Sequence, residues 1–284
     1  MQSPSNQNIV QTTFVAMIFA FVISFHAQNI SEFLTVITNN WTSFPLSPDI
    51  TIDFLAVATQ ILLALLMISI SWIMWSKSKA SAHINDIQQI FTVKFLTFIL
   101  EIILVILYYS LAKSIEVDFS EYNKTKNMSD YITRVSPQPE IFIMIMIFSI
   151  FLLWDIITDI IKSPTTPIPS GTIARLKNLG AGYIVYCSTS TVCLIAAIAI
   201  FFIIPSNSNA LITIISDLAL ITILLFFYQA KILEYYGLKL FPSQESRNNT
   251  KRNTPPTNWE LFGIIILFSL YIIFAIMVGI CIHQ

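Results

Sequence analysis

The sequence predicts an all-α polytopic membrane bundle with seven transmembrane helices, and three observations predict it. Hydrophobic residues make up 55% of the 284 and charged residues only 11%, against about 25% charged in soluble domains. Apolar stretches close to the roughly 20 residues needed to cross hydrocarbon as a helix lie at 9–25, 50–75, 90–111, 141–161, 181–204, 210–228 and 261–282. The chain has only six Gly, and no Pro falls inside any of these stretches, so nothing in the spans is expected to break a helix. A single transmembrane domain covering 1–284 leaves no separate soluble domain.

The first stretch, 9–25, starts with Gln11, Thr12 and Thr13 and continues in a more polar manner through His26 and Glu32 towards Thr38. Residues 1–8 carry no Lys or Arg, so the segment lacks the basic start of a secretory leader and reads as a spanning helix. If it instead lay in the interface, the bundle would have six spans. The loop 115–140 is polar and acidic-leaning, with Glu116, Asp118, Glu121 and Asp130. Pro164, Pro167 and Pro169 make 163–178 a structured turn leading into the fifth helix. The brief 205–209 connection makes the fifth and sixth helices antiparallel neighbours. The sixth helix reads on to 240, longer than a bilayer requires, with an amphipathic end in which Lys231 and Glu234 can pair at i,i+3. The Asn-, Ser- and Pro-rich segment 241–258 predicts a mobile cytoplasmic loop.

Lys and Arg set the orientation. With seven spans, eleven of the fifteen fall on one side and only Lys113, Lys124, Lys126 and Arg134 on the other. The expected location is therefore an inner or plasma membrane, with the N-terminus cytoplasmic and the C-terminus outside.

Glu101 lies near the middle of the otherwise apolar stretch 90–111, two turns from Lys94 on one helix face. A carboxylate at that depth is costly and marks a pathway, a relay or a tie between helices. Asp155 and Asp159 share a face at i,i+4; Asp159 pairs with Lys162 at the rim, which leaves Asp155, deeper and beside Trp154, as the functional candidate. Asp217 lies in the sixth stretch. Ser188 and Thr191 belong to a polar band, Cys187-Ser-Thr-Ser-Thr-Val-Cys193, whose hydroxyls can line a wet path or tie helices together. Helical rise places Asp217 about 9 Å above Thr191, so the two would bound an outer polar vestibule.

Several classes are excluded. The net charge of −1 provides no basic face for nucleic acid. Cys187, Cys193 and Cys281 lie in apolar segments and suit packed thiols. His26, His83 and His283 are too scattered for haem or zinc, so neither cofactor nor metal is expected. Hydrolase, nucleotide-binding and zinc-protease motifs are absent. The spacing Asp155-Ile-Ile-Thr-Asp159 resembles one acidic motif of membrane prenyltransferases, but the second cluster such enzymes need is missing. An enzyme is thus disfavoured.

The run Phe14-Val-Ala-Met-Ile-Phe19-Ala20-Phe-Val-Ile23-Ser24, with Ser71-Trp72 and His83 in and after the second stretch, resembles the first two helices of small potassium channels that carry a Phe-Ser-Asp signature. The signature Ser and Asp positions are Val15 and Ala16 here. The resemblance implies a pore lined by the first helix, with Phe19 and Ile23 at a hydrophobic constriction.

The expected function is an ion channel or pore, cation-conducting and working as a homo-oligomer in the lipid bilayer, with an inorganic cation or proton as its partner. The alternative is a membrane-embedded binding or assembly subunit, or a secondary transporter, whose buried acids are structural or couple to protons.

Overall fold

The computed structural model describes residues 6–40, 48–81, 93–133, 135–161, 172–205 and 209–235. Within these, the chain forms seven α-helices: α1 (Asn6–Asn39), α2 (Pro48–Ser81), α3 (Val93–Lys113), α4 (Phe119–Thr125), α5 (Gln138–Asp155), α6 (Thr172–Ile203) and α7 (Ala210–Tyr235). The described residues contain no strand, only an isolated antiparallel bridge between Val117 and Ile132. Among the described residues five helices are long and apolar enough to cross a membrane, over Thr13–Asn39, Ile50–Ser76, Phe95–Lys113, Gln138–Thr158 and Ala210–Ile232. The chain is an all-α polytopic membrane bundle, as its composition predicts. In α6 the side chains are described from Cys187 onward, and Cys187–Ile203 is apolar. The expected span 261–282 and the loop 241–258 lie outside the described residues.

The helix termini follow local chemistry. Pro48 opens α2, where its missing N–H and fixed φ cost nothing. Asn209 precedes α7 and accepts from the Ile212 N–H at 3.0 Å through Oδ1, which satisfies one of the orphan donors of a helix start. Thr172 starts α6 several residues earlier than expected. The run Ala174-Arg175-Leu176-Lys177 contains only strong helix formers, so the Pro-rich turn cannot extend to 178. The bundle is also less regular than the absence of interior Pro suggests, because α5 passes at Asp155 into a π-helical turn, Ile156–Ile161. Such turns cluster at functional sites.

The chain divides into two compact units: residues 1–144 with 200–221, and 145–199 with 222–284. In the first, α1 packs on both α2 and α3, and α2 on α3. Phe19 of α1 is buried among Trp72 and Trp75 of α2 and Tyr108 of α3, at ring-centroid distances of 5.2, 5.9 and 5.8 Å. Asn29 Nδ2 donates to the Ala112 carbonyl at 3.0 Å. Hydrophobic burial gives little drive between helices inside lipid, so this ring packing and the polar tie carry the association.

The same unit holds a folded cap. The expected polar loop after α3 instead forms α4 and a 3-10 turn, Met128–Asp130. Asp118 caps α4 by accepting from the Glu121 N–H at 2.8 Å, and Lys126 closes it in the left-handed region at φ 57°. The apolar side chains hidden among the acids explain the compaction. Tyr122, Met128 and Tyr131 bury themselves against Val36 and Phe54 near the ends of α1 and α2, with Phe54 stacked on Tyr131 at 5.9 Å. Asn40 Nδ2 donates to the Tyr122 hydroxyl at 2.9 Å. Burial holds the Tyr131 phenol well above its usual pKa.

The second unit is organised by Phe227 of α7, which meets Phe148 and Phe151 of α5 at 5.6 and 4.9 Å.

Candidate functional site

Buried acids appear in both units, in different environments. In the first, Asp217 of α7 is 0% exposed and Glu140, in the first turn of α5, is 1% exposed. Two consecutive residues of α2 hold them. Thr59 Oγ1 lies 2.8 Å from Asp217 Oδ2, and Gln60 Nε2 donates to Glu140 Oε1 at 3.1 Å. Gln60 also reaches the Ser136 carbonyl at 3.5 Å, and Gln138 Nε2 donates to the Ile204 carbonyl at 3.3 Å, fixing the start of α5 beside the end of α6. Asp217 lies about 10 Å along α7 from Ala210, at 1.5 Å per residue. Glu140 is close to the first residue of its span.

The arrangement is rich in oxygen and lacks a counter-charge. Among the described residues neither acid forms an ion pair. Among the described residues Asp217 Oδ1, Glu140 Oε2, Gln60 Oε1 and Ser216 Oγ are buried without a hydrogen-bond partner. The charges acting on the pair are themselves acidic: Glu140 acts on Asp217, and Glu116 on Glu140. Buried polar atoms are normally satisfied, so exceptions on both acids, on Gln60 that bonds one of them and on Ser216 next to the other in sequence call for an explanation.

In the second unit Asp155 is satisfied. Its Oδ2 accepts from Ser190 Oγ of α6 and from Lys231 Nζ of α7 at 2.8 Å. Lys231 also stands 5.9 Å from the centre of the Phe227 ring. Three helices are thus tied at one carboxylate, at the junction between the α-helical and π-helical parts of its own helix.

The residues singled out by the sequence separate accordingly. Asp217 bonds to Thr59, and Ser190 of the hydroxyl band bonds to Asp155. In that band, Thr191 Oγ1 donates back to the Cys187 carbonyl at 2.8 Å, whereas the half-buried Ser188 Oγ has no hydrogen-bond partner among the described residues. Glu101 is buried, at 4% exposure. Phe19 is buried in the aromatic cluster, while Ile23, one turn on, is 44% exposed. Lys231 crosses to Asp155; the side chain of Glu234, the partner expected along its own helix, lies outside the described residues. Sequence reasoning missed Glu140, Gln60 and Thr59. A Gln inside the apolar stretch 50–75 was the available signal for the α2 pair. Among the described residues no group of three or more His, Cys, Asp or Glu side chains could hold a metal.

Comparison with protein-family models, with curated proteins and with solved structures gave no match. The class therefore rests on fold and site together: a multi-pass helical membrane protein with a buried pair of acids in one unit and a buried ion pair in the other.

Proposed function

We propose that this protein conducts protons or small inorganic cations across its membrane, as a homo-oligomer, with the Asp217–Glu140 constellation on the ion's route. The observation that carries this reading is Asp217, wholly buried within a span, with no cationic partner among the described residues and one carboxylate oxygen unused. A membrane-embedded acid of that kind is expensive and lines substrate or proton pathways. The distribution of Lys and Arg supports an orientation with the N-terminus and the 241–258 loop cytoplasmic. On that orientation Asp217, Glu140 and the cap at 115–133 lie towards the outer side.

Ion flux into proteoliposomes containing the pure protein tests the reading. Flux should be present with wild-type protein and fall at least tenfold with Asp217→Asn, while the thermal midpoint in micelles stays within a few degrees. A second reading, an assembly or binding subunit whose acids only join helices, is favoured by the satisfied Asp155–Lys231–Ser190 tie. It predicts no flux, and loss of stability on replacing any buried acid.

A further inference from the structure

We infer that Asp217, Glu140, Gln60 and Thr59 form a site that takes one desolvated monovalent cation in exchange for one proton. This inference rests on the reading of the constellation as a cation-handling site and names what that site exchanges.

The charge balance comes first. An ionised carboxylate cannot stay buried without a counter-charge; it takes up a proton or binds a cation. Two buried acids that act on each other, as Glu140 acts on Asp217, do not both ionise unaided. From α2 the facing groups are Thr59 and Gln60, both neutral. From the segment after α3, Ser114 and the acidic Glu116 act on Glu140. No Lys or Arg among the described residues neutralises either acid. With one proton kept between them, the pair lacks a single positive charge, supplied by a second proton or by a monovalent cation.

Thr59 allows both states. Its hydroxyl has one proton and two oxygen neighbours, the Ala56 carbonyl at 2.7 Å and Asp217 Oδ2 at 2.8 Å. Directed at Ala56, as helical Thr commonly is, it leaves its own oxygen to accept from a protonated Asp217. Turned towards Asp217, it donates to the carboxylate. Rotation of one hydroxyl therefore serves either charge state without moving a helix.

The ligands follow from the atoms left without partners. Asp217 Oδ1, Glu140 Oε2, Gln60 Oε1 and Ser216 Oγ are hard oxygen donors, which suit alkali cations rather than soft metals. Gln60 is the informative member: it is 2% exposed, carries no charge, donates its N–H to Glu140, and keeps a buried carbonyl oxygen to which no described residue donates. A divalent ion fits less well. Mg²⁺ gives up its water reluctantly and Ca²⁺ takes 6–8 oxygens, more than this buried group supplies. The exchange balances as Asp217–COOH plus a monovalent cation giving the cation carboxylate and one released proton.

The test uses full-length protein in detergent micelles, in weak buffer with a pH indicator, where binding needs no transport. Sodium, potassium or lithium chloride should each be compared with choline chloride at equal ionic strength. At least one alkali cation should release about one proton per chain in a saturable manner and raise the thermal midpoint, whereas choline should do neither. Asp217→Asn and Glu140→Gln should abolish the release. Gln60→Leu, which keeps both acids, should retain it and weaken the apparent affinity several-fold. Release that is absent with every alkali cation, seen only with magnesium or calcium, or unchanged in the two acid variants overturns the inference; should those variants not fold, unchanged affinity in Gln60→Leu does so. Release in micelles without flux in proteoliposomes leaves the exchange site standing and removes conduction. Flux without release does the reverse.

Discussion

Replacing Lys231 with Met removes a charge from the second unit and leaves Asp155 behind. The two groups are 2.8 Å apart with side-chain exposures of 14% and 9%, so salt and water screen them little. Coulomb's law at that distance, with an effective dielectric of about 20, gives an attraction of about 6 kcal/mol. Removing both ions from water costs several kcal/mol each, so the net worth of the pair is small. Breaking it is another matter, since the remaining carboxylate keeps its desolvation cost and loses its compensation. Lys231→Met should therefore cost about 3–5 kcal/mol, and Asp155→Asn less, because Asn keeps a hydrogen-bonding group for Ser190. The double variant should be less damaged than the sum, with a coupling of about 2–3 kcal/mol. Reversible denaturant unfolding in micelles, followed by circular dichroism on all four proteins, measures it. A coupling below about 0.5 kcal/mol would refute the claim that this pair ties α5 to α7, because ordinary polar contacts between membrane helices average about 0.6 kcal/mol.

The cap offers a paired prediction. Tyr131→Phe should leave stability unchanged or improve it, because its buried hydroxyl has no hydrogen-bond partner among the described residues, whereas Tyr122→Phe should cost about 1 kcal/mol by removing one of the two bonds of Asn40 Nδ2; thermal melts of both decide it. The Tyr131 phenol is raised by burial, so the folded state resists its ionisation: its contribution is intact below the unfolded pKa of about 10 and lost as pH rises beyond it. Melting midpoints should thus fall above about pH 10, less steeply in Tyr131→Phe; equal slopes would exclude the effect. For topology, a cysteine at the exposed Asn123 of α4, in a chain lacking Cys187, Cys193 and Cys281, should react with an impermeant thiol reagent added outside intact cells. Labelling only after permeabilisation would invert the orientation. Glu101→Gln should fold like wild type, since the amide is nearly isosteric and avoids burying a charge, while Glu101→Ala should lower the melting midpoint; equal midpoints would argue against a buried polar contact at Glu101.

The spans were legible because hydrocarbon thickness demands long apolar runs, and α1, α2, α3, α5 and α7 each contain one. The polar second half of α1 was legible too: nothing in 26–38 stops a helix, and α1 runs unbroken to Asn39. The site was half legible. Asp155 and Asp217 stand out as acids in apolar runs, but their partners do not. Glu140 sits at the edge of its span, where an acid usually reads as favourable helix-terminus chemistry. Thr59 and Gln60 are uncharged and adjacent, and only tertiary packing turns them towards two different helices. Lys231 had a plausible local partner in Glu234, and a local pair at i,i+3 gives no hint of the bond to Asp155, 76 residues away in the chain. The cap was hidden by composition, since the acids of 115–133 mask Phe119, Tyr122, Met128 and Tyr131, which pack against the ends of α1 and α2. The π-helical turn after Asp155 has no Gly or Pro to announce it.

Asp155 and Asp217 are the same residue type, both buried in apolar helices, and the difference in their neighbours is the ground for the different work proposed for them. Asp155 has a hydroxyl and an ammonium on a single oxygen, so its charge is compensated and a further cation would have to compete with Lys231 for it. Such a group holds helices together, and loss of its partner should register as lost stability. Asp217 has one hydroxyl, shared with a backbone carbonyl, and a second acid as its electrical neighbour. Its environment is stable only when something positive arrives, and a proton or an alkali ion can both meet that need. Stability measurements on Asp155 variants and proton release on Asp217 variants therefore separate the two roles. Asp155→Asn should destabilise the protein and still release a proton on cation binding, whereas Asp217→Asn should melt near wild type and release none. The opposite pattern, release lost in Asp155→Asn and preserved in Asp217→Asn, would place the exchange in the second unit and make the Lys231 pair the site that opens.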